Sequence, residues 1–277
     1  MSARPARPLP RRPFGIDFSG AEKAGKAIWI AEGRIGRKGA VALVDCIPAL
    51  ALPGSGVDRG PALAALVRLV AATRDGIFGC DFPVGLPRAV MQAPDWRRFV
   101  AGFATRHASA EDFRSDCRRL TQGREIRRDT DRRAKTPFCA WNLRLYRQTY
   151  HGLADVIAPL HRGKRAAVLP VERPHAGRAW IVETCPASVL KRLGLYRPYK
   201  GQDAGARRMR RHIIAALVER GHLLTPPKGL RDRLVDDHGG DALDAVLACL
   251  AAAAALKRLD QPVAPDERIE GKVYFKL

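Results

Sequence analysis

Short apolar runs at residues 14–19, 26–31 and 40–47, rich in Ile, Val, Trp and Ala, are separated by turns containing Gly and Lys. This pattern predicts three short strands in a meander. Residues 60–76, GPALAALVRLVAATRDG, repeat apolar side chains three and four positions apart, which predicts a helix ending near Gly76. The next run, IFGCDFPVGLP over 77–87, reads as a buried strand stopped by Asp81 and Pro83, since proline has no amide to offer a ladder. From about 94 to 165 the pattern becomes helical, and RAWIVETCPASVL then gives a strand over 178–183, a turn through Pro186 and a helix start. A basic amphipathic helix is predicted over 203–221, and a long Ala-rich helix, opening in DDHGGDALDA, ends near Leu259. The tail EGKVYFKL alternates as a short strand does.

Acids interrupt this pattern at matched places. Asp17 lies in the first apolar run, Asp81 and Glu183 close the later strands, and Asp241 and Asp244 open the last helix. An aspartate within a strand loses hydration and packs poorly, so propensity alone disfavours it. Each acid has a plain structural reading: Asp17 as a turn residue bonding nearby amides, Asp81 as a cap before Pro83, and Glu183 as the partner of an arginine. Asp236 and Asp237 are expected to cap the last helix, and His238 is either an exposed residue or an acid-base group. Asp237, Asp241 and Asp244 share a helical face that continues into Ala248, Ala252 and Ala255, small enough for close approach to a sheet. Together the carboxylates would repel one another unless cations lay between them. Two divalent ions held by carboxylates can support in-line displacement at a phosphodiester, and Mg²⁺ or Mn²⁺ suits such oxygen ligands. Asp17, Asp81, Asp241 and Asp244 are therefore candidate metal ligands and catalytic residues, with Glu183 as a weaker ligand or base.

Charge extends this reading. The chain has 277 residues, 49 Lys plus Arg against 28 Asp plus Glu, and a net charge of +21. Such a field attracts polyanions, so nucleic acid is the expected partner, although an Arg-rich composition alone would produce the same number. Nine Lys or Arg fall between 113 and 135. Within them Arg127, Arg128, Arg132, Arg133 and Lys135 are candidates to hold substrate phosphates, unless the segment is merely a solvated loop. Trp141, Tyr146 and Tyr150 follow at helical spacing and read more readily as core than as base-stacking residues. The six cysteines have no close pair, so neither a zinc cradle nor a disulfide framework is visible. No segment reads as a secretory signal or membrane span, and the expected location is the cytoplasm.

The pieces GIDFSGA, GCDFPVGLP, RRDTDRR, VETCPASVL, DHGGDALDAVLACLAA and EGKVYF span nearly the whole chain. In them the sequence resembles the domain of unknown function 429, a group of bacterial and archaeal proteins described as predicted nucleases with a ribonuclease H-like fold. The resemblance implies an α/β architecture, a mixed five-stranded sheet flanked by helices, in which the first and fourth strands lie side by side and the final helix crosses them. The expected organisation is a disordered basic arm over 1–13 and a single domain over 14–277 with a helical basic insertion at 94–165. Two other functions remain open: a nucleic-acid-binding protein without turnover, and an ATP-binding member of the actin-like and sugar kinase superfold, since DFSGAEKAG nearly matches its phosphate hairpin. GSGVDRG, residues 54–60, is not a dinucleotide fingerprint, because no strand-to-helix turn surrounds it.

Overall fold

The computed structural model describes residues 11–277. Strands β1 (Arg12–Asp17), β2 (Trp29–Ile35), β3 (Val41–Pro48), β4 (Gly76–Cys80), β5 (Ala166–Leu169), β6 (Ala179–Thr184) and β7 (Val273–Tyr274) form a seven-stranded mixed sheet. Its order is β3-β2-β1-β4-β6-β5, with β7 paired to β6. The expected five-stranded sheet is thus enlarged by β7, in the alternating tail, and by β5, four apolar residues too short to show a period. The arm also ends earlier than expected. Arg12 and Pro13 belong to β1, and Arg11 is buried with its guanidinium 3.7 Å from the Trp180 ring. The rest of the expected arm, residues 1–10, lies outside the described residues.

β1 runs antiparallel to β2, but β1, β4 and β6 are mutually parallel, so three strands present their carboxyl ends along one edge. Parallel strands need both faces covered, and their near-continuous apolar sequences meet that need. One face, with Phe14, Ile16, Phe78 and Cys80, packs against the Arg59–Ala72 helix and the helices of the 94–165 segment. That segment contributes Phe99, Phe103, Phe113 and Trp141 to the same core, so it is an integral layer of the domain. Tyr146 and Tyr150 are buried there too. The six cysteines are free thiols. No single helix among the described residues is long and apolar enough to cross a membrane.

The other face carries the Asp241–Ala255 helix, backed by helices Pro186–Leu193, Ala204–Glu219 and Lys228–Asp236. This helix begins later than the pattern suggested, because Asp236 ends the preceding helix and pairs with Arg207 at 2.6 Å. Gly240, not Asp237, is the N-cap of the last helix, although Asp237, at the end of the preceding one, accepts from the Ala242 amide at 2.8 Å. The helix lies on the backbone of the sheet. A Cβ on Gly15 of β1 would overlap the Ala245 carbonyl and Cys249 amide, and one on Gly79 of β4 would overlap the Ala248 carbonyl. Glycine at these two places, facing small residues on the helix, sets the separation of the layers.

Gly15→Ala is expected to lower the unfolding free energy by about 3 kcal/mol, because backbone on both sides must move. Gly60→Ala, whose new methyl meets nothing within 4 Å, is the control and should leave stability unchanged or slightly raised. Urea denaturation midpoints measure both; equal midpoints would refute the close contact.

Candidate active site

Strand alternation decides which acids meet. Ile16, Cys80 and Glu183 are register partners across β1, β4 and β6, so their side chains leave the same face of the sheet. Asp17 and Asp81, one residue further on, point to the opposite face, shared with Gly15, Gly79 and the Asp241–Ala255 helix. Asp244, at the fourth residue of that helix, comes to lie with them. Asp17 is 8 % exposed and Asp244 is 4 % exposed, while Asp81 is half-buried.

The electrostatics record their closeness. Burial raises the Asp17 carboxyl well above the usual carboxylate range, and Asp244, Asp81 and Asp241 add like-charge repulsion. Burial and then Asp244 push Asp81 up to about 8. Among the described residues no donor reaches the carboxylate of either Asp17 or Asp81; Gln148 reaches only the Asp81 backbone carbonyl. Asp244 is served differently. Its Oδ1 accepts from the Tyr199 hydroxyl at 2.6 Å and its Oδ2 lies 2.8 Å from Lys200 Nζ, which also reaches Asp241 at 3.1 Å. Burial raises the Asp244 carboxyl, and Lys200 and Tyr199 work against that rise.

The loop carrying Tyr199 and Lys200 hangs on a buried arginine. Arg210 donates to the carbonyls of Tyr199 at 2.5 Å, Gly201 at 3.0 Å and Val235 at 2.7 Å, tying the loop to two helices. Tyr199, Lys200 and Arg210 were not anticipated. The only trace of Tyr199 and Lys200 in the sequence is an aromatic and basic loop, YRPYKG, placed between a helix end and the next helix start, while Arg210 lies within the predicted basic helix.

Glu183 borders the same cleft as Asp81 and adds to the like-charge repulsion there, but its oxygens are already engaged. It is 3 % exposed on the other face, where Arg128 grips both its oxygens at 2.5 and 2.9 Å and the Val84 amide donates at 3.0 Å. Glu183, expected as a ligand or base, forms a buried ion pair, because a one-residue difference in register turns its side chain to that face. Arg128 is engaged with it. It is 2 % exposed, and its remaining hydrogens go to Asp131, the Gly85 carbonyl and the Glu270 carbonyl, which leaves none for a phosphate. Of the other basic candidates, Arg133 pairs with Glu267 at 2.6 Å and Arg132 with Asp129. Arg127 donates to the carbonyls of Thr136 and Pro137, and Lys135 is exposed. His238 contributes its carbonyl to the Gly201 amide.

Beside the acids opens a cleft of about 560 Å³, whose lining includes Asp81, Asp244, Lys200, Phe138, Arg144 and Tyr196. Among the described residues, no three His, Cys, Asp or Glu side chains are gathered closely enough to hold a metal ion as they stand. The ammonium of Lys200 bridges two of the acids, Asp241 and Asp244.

A model of one protein family, described as a protein of unknown function (DUF429), matches residues 15–268, which include Asp17, Asp81, Glu183, Asp241 and Asp244. The chain belongs to the DUF429 family. No curated protein and no solved structure matches it. In this DUF429 chain the resemblance seen in the motifs therefore holds at the level of the family.

The two groups of acids should respond oppositely to substitution. A carboxyl near 3.8 when unfolded and about 8 when folded binds more protons in the folded state, so stability is lost as pH rises between those values. Asp81→Asn should thus raise the unfolding free energy by about 1 to 2 kcal/mol at pH 8, discounted for partial exposure, and have little effect below pH 4. Glu183→Gln, which takes one of two carboxylates from a buried guanidinium, should lower it by about 3 kcal/mol across that range. Thermal melts of both variants between pH 4 and 8 are the measurement.

Proposed function

We propose that this chain is a metal-dependent phosphodiesterase of ribonuclease H-like fold that hydrolyses nucleic acid. One observation carries the reading: Asp17, Asp81 and Asp244, far apart in sequence, converge at the carboxyl ends of parallel strands, and the carboxylates of Asp17 and Asp81 have no donor among the described residues. Strand order supports it, since β3-β2-β1-β4-β6 follows the ribonuclease H-like arrangement once β6 is taken as the fifth strand. Ligands in open α/β sheets gather at such strand ends. The glycines of DFSGAEKAG weigh against the ATP-binding reading. A Cβ at Gly20 or Gly25 would collide with the backbone of Arg147 or Gly56, so this segment packs on protein instead of opening toward a phosphate.

The donor set suits a hard divalent ion: carboxylate oxygens alone, two of the carboxylates unpartnered, in a partly buried cluster of like charge. Asp17, Asp81 and Asp244, with Asp241 at the rim, would hold Mg²⁺ or Mn²⁺. When bound, the ions supply charge neutralisation at the phosphate and a more acidic water. Tyr199 orients Asp244 through its hydroxyl. Lys200 supplies the balancing charge of the unloaded cluster and must withdraw as ions enter; its long stem, half exposed, permits this.

Two experiments address this. Labelled single-stranded, duplex, hybrid and branched DNA and RNA, incubated with Mg²⁺ or Mn²⁺, should be cut by the native protein and not by Asp17→Asn. Tight, salt-sensitive binding without cleavage by either protein would replace the proposal with a binding module. Separately, Lys200→Met removes the competing cation and should raise Mn²⁺ affinity about tenfold by calorimetry, a modest share of the Coulomb energy available at that range. Unchanged affinity would remove Lys200 from the account of the site.

A further inference from the structure

The cleft beside the acids has a chemistry of its own that phosphodiester hydrolysis does not use. Its volume, about 560 Å³, falls within the range that encloses a ligand of nucleotide size. Two rings border it, Phe138 and Tyr196, and the latter is 51 % exposed although most large apolar side chains are buried. A cation stands at each ring, with the Arg144 guanidinium 5.5 Å from Phe138 and Lys191 Nζ 5.1 Å from Tyr196. Many arginines of this chain are committed to carboxylates or carbonyls. Arg144 and Arg197, both exposed on the cleft wall, have no carboxylate partner among the described residues.

Further in, Thr184 is 2 % exposed and its hydroxyl finds no hydrogen-bond partner, as does the buried hydroxyl of Thr136. Both residues line the cleft. Buried hydroxyls are rarely left unpaired, and two in one cleft point to a polar ligand edge that satisfies them. Thr184 also follows Glu183 in β6, so it projects on the same side of the sheet as Asp17 and Asp81. The cleft thus combines in one lining aromatic faces, buried hydroxyls without partners, guanidinium groups without carboxylate partners, and carboxylates.

Resting on the reading of the acids as a phosphodiesterase site, we propose that this cleft is a nucleobase pocket that admits one unpaired nucleotide. The base stacks between Phe138 and Tyr196, its polar edge meets Thr136 and Thr184, and the adjoining backbone phosphate turns toward Asp81 and Asp244. Bases in a duplex remain stacked within the helix and can enter only by flipping out. The substrate class is therefore single-stranded nucleic acid, or a strand end or branch with an unpaired nucleotide.

Binding without turnover tests this in EDTA at low salt, using the full chain and two fluorescein-labelled DNA probes: a 12-nucleotide single strand and a blunt 12-base-pair duplex. The native protein should prefer the single strand. Tyr196→Ala and Phe138→Ala should each weaken single-strand binding about tenfold while leaving duplex binding unchanged, as expected for loss of a stacking platform, and Tyr196→Phe should restore it. A 2-aminopurine in the strand should change emission on binding to the native protein and not to Tyr196→Ala. If both alanine variants bind the single strand as the native protein does, the pocket is refuted while nucleic-acid binding stands. If the native protein binds neither probe, the phosphodiesterase reading itself falls. Equal affinity for strand and duplex, unaffected by the variants, would assign binding to the basic surface alone and also overturn the pocket.

Discussion

The molecule is organised around the contact between the backbone of two central strands and the backbone of one helix. Gly15 and Gly79 leave no side chain on that face of β1 and β4, and Ala245, Ala248 and Cys249 answer them from the helix. Because the layers touch there, Asp244, in the first turns of the helix, arrives beside the acids that follow the glycines by two residues. Each glycine therefore fixes the height at which an aspartate two positions later meets its partner. The apolar remainder of the helix holds that contact against the mutual repulsion of the carboxylates, which by itself would push the layers apart.

Three arginines show how the positive charge is divided. Arg11 lies over Trp180, Arg128 binds Glu183 and Asp131, and Arg210 gathers three carbonyls from different elements. Each spends its charge inside the fold, where a planar, permanently charged fork can satisfy several acceptors at once. A formal charge of +21 is therefore a poor measure of the surface open to a polyanion, since some of it acts as internal cross-linking. The segment expected to hold phosphates is the clearest case, with Arg128 in the interior and Arg132 and Arg133 paired.

Much of this was legible in the sequence, for identifiable reasons. Apolar runs and their breakers located four of the first strands and the strand before Pro186, and the acids stood out because strands disfavour them. The alanine face of the last helix announced its close packing. What the sequence hid was parity. Glu183 closes a strand as Asp81 does, but register places it level with Cys80, one residue short, and a single step in a strand changes the face. Spacing within one segment cannot reveal register against another. Nor can it reveal Lys200, since a loop residue bears no period and acquires its partners only when Arg210 has folded the loop back.

The acids and their counter-charge belong to separately anchored parts of the domain. Asp17 and Asp81 are carried by the sheet itself, whereas Lys200 and Tyr199 ride on a loop fastened by Arg210 to the outer helices. The frame and the charge supply of the site can then change independently: the loop can be remodelled over evolution, or loosened by temperature, while the carboxylate frame keeps its geometry. In such a design sequence change would accumulate along residues 196–201, with the sheet and its helix acting as an invariant chassis.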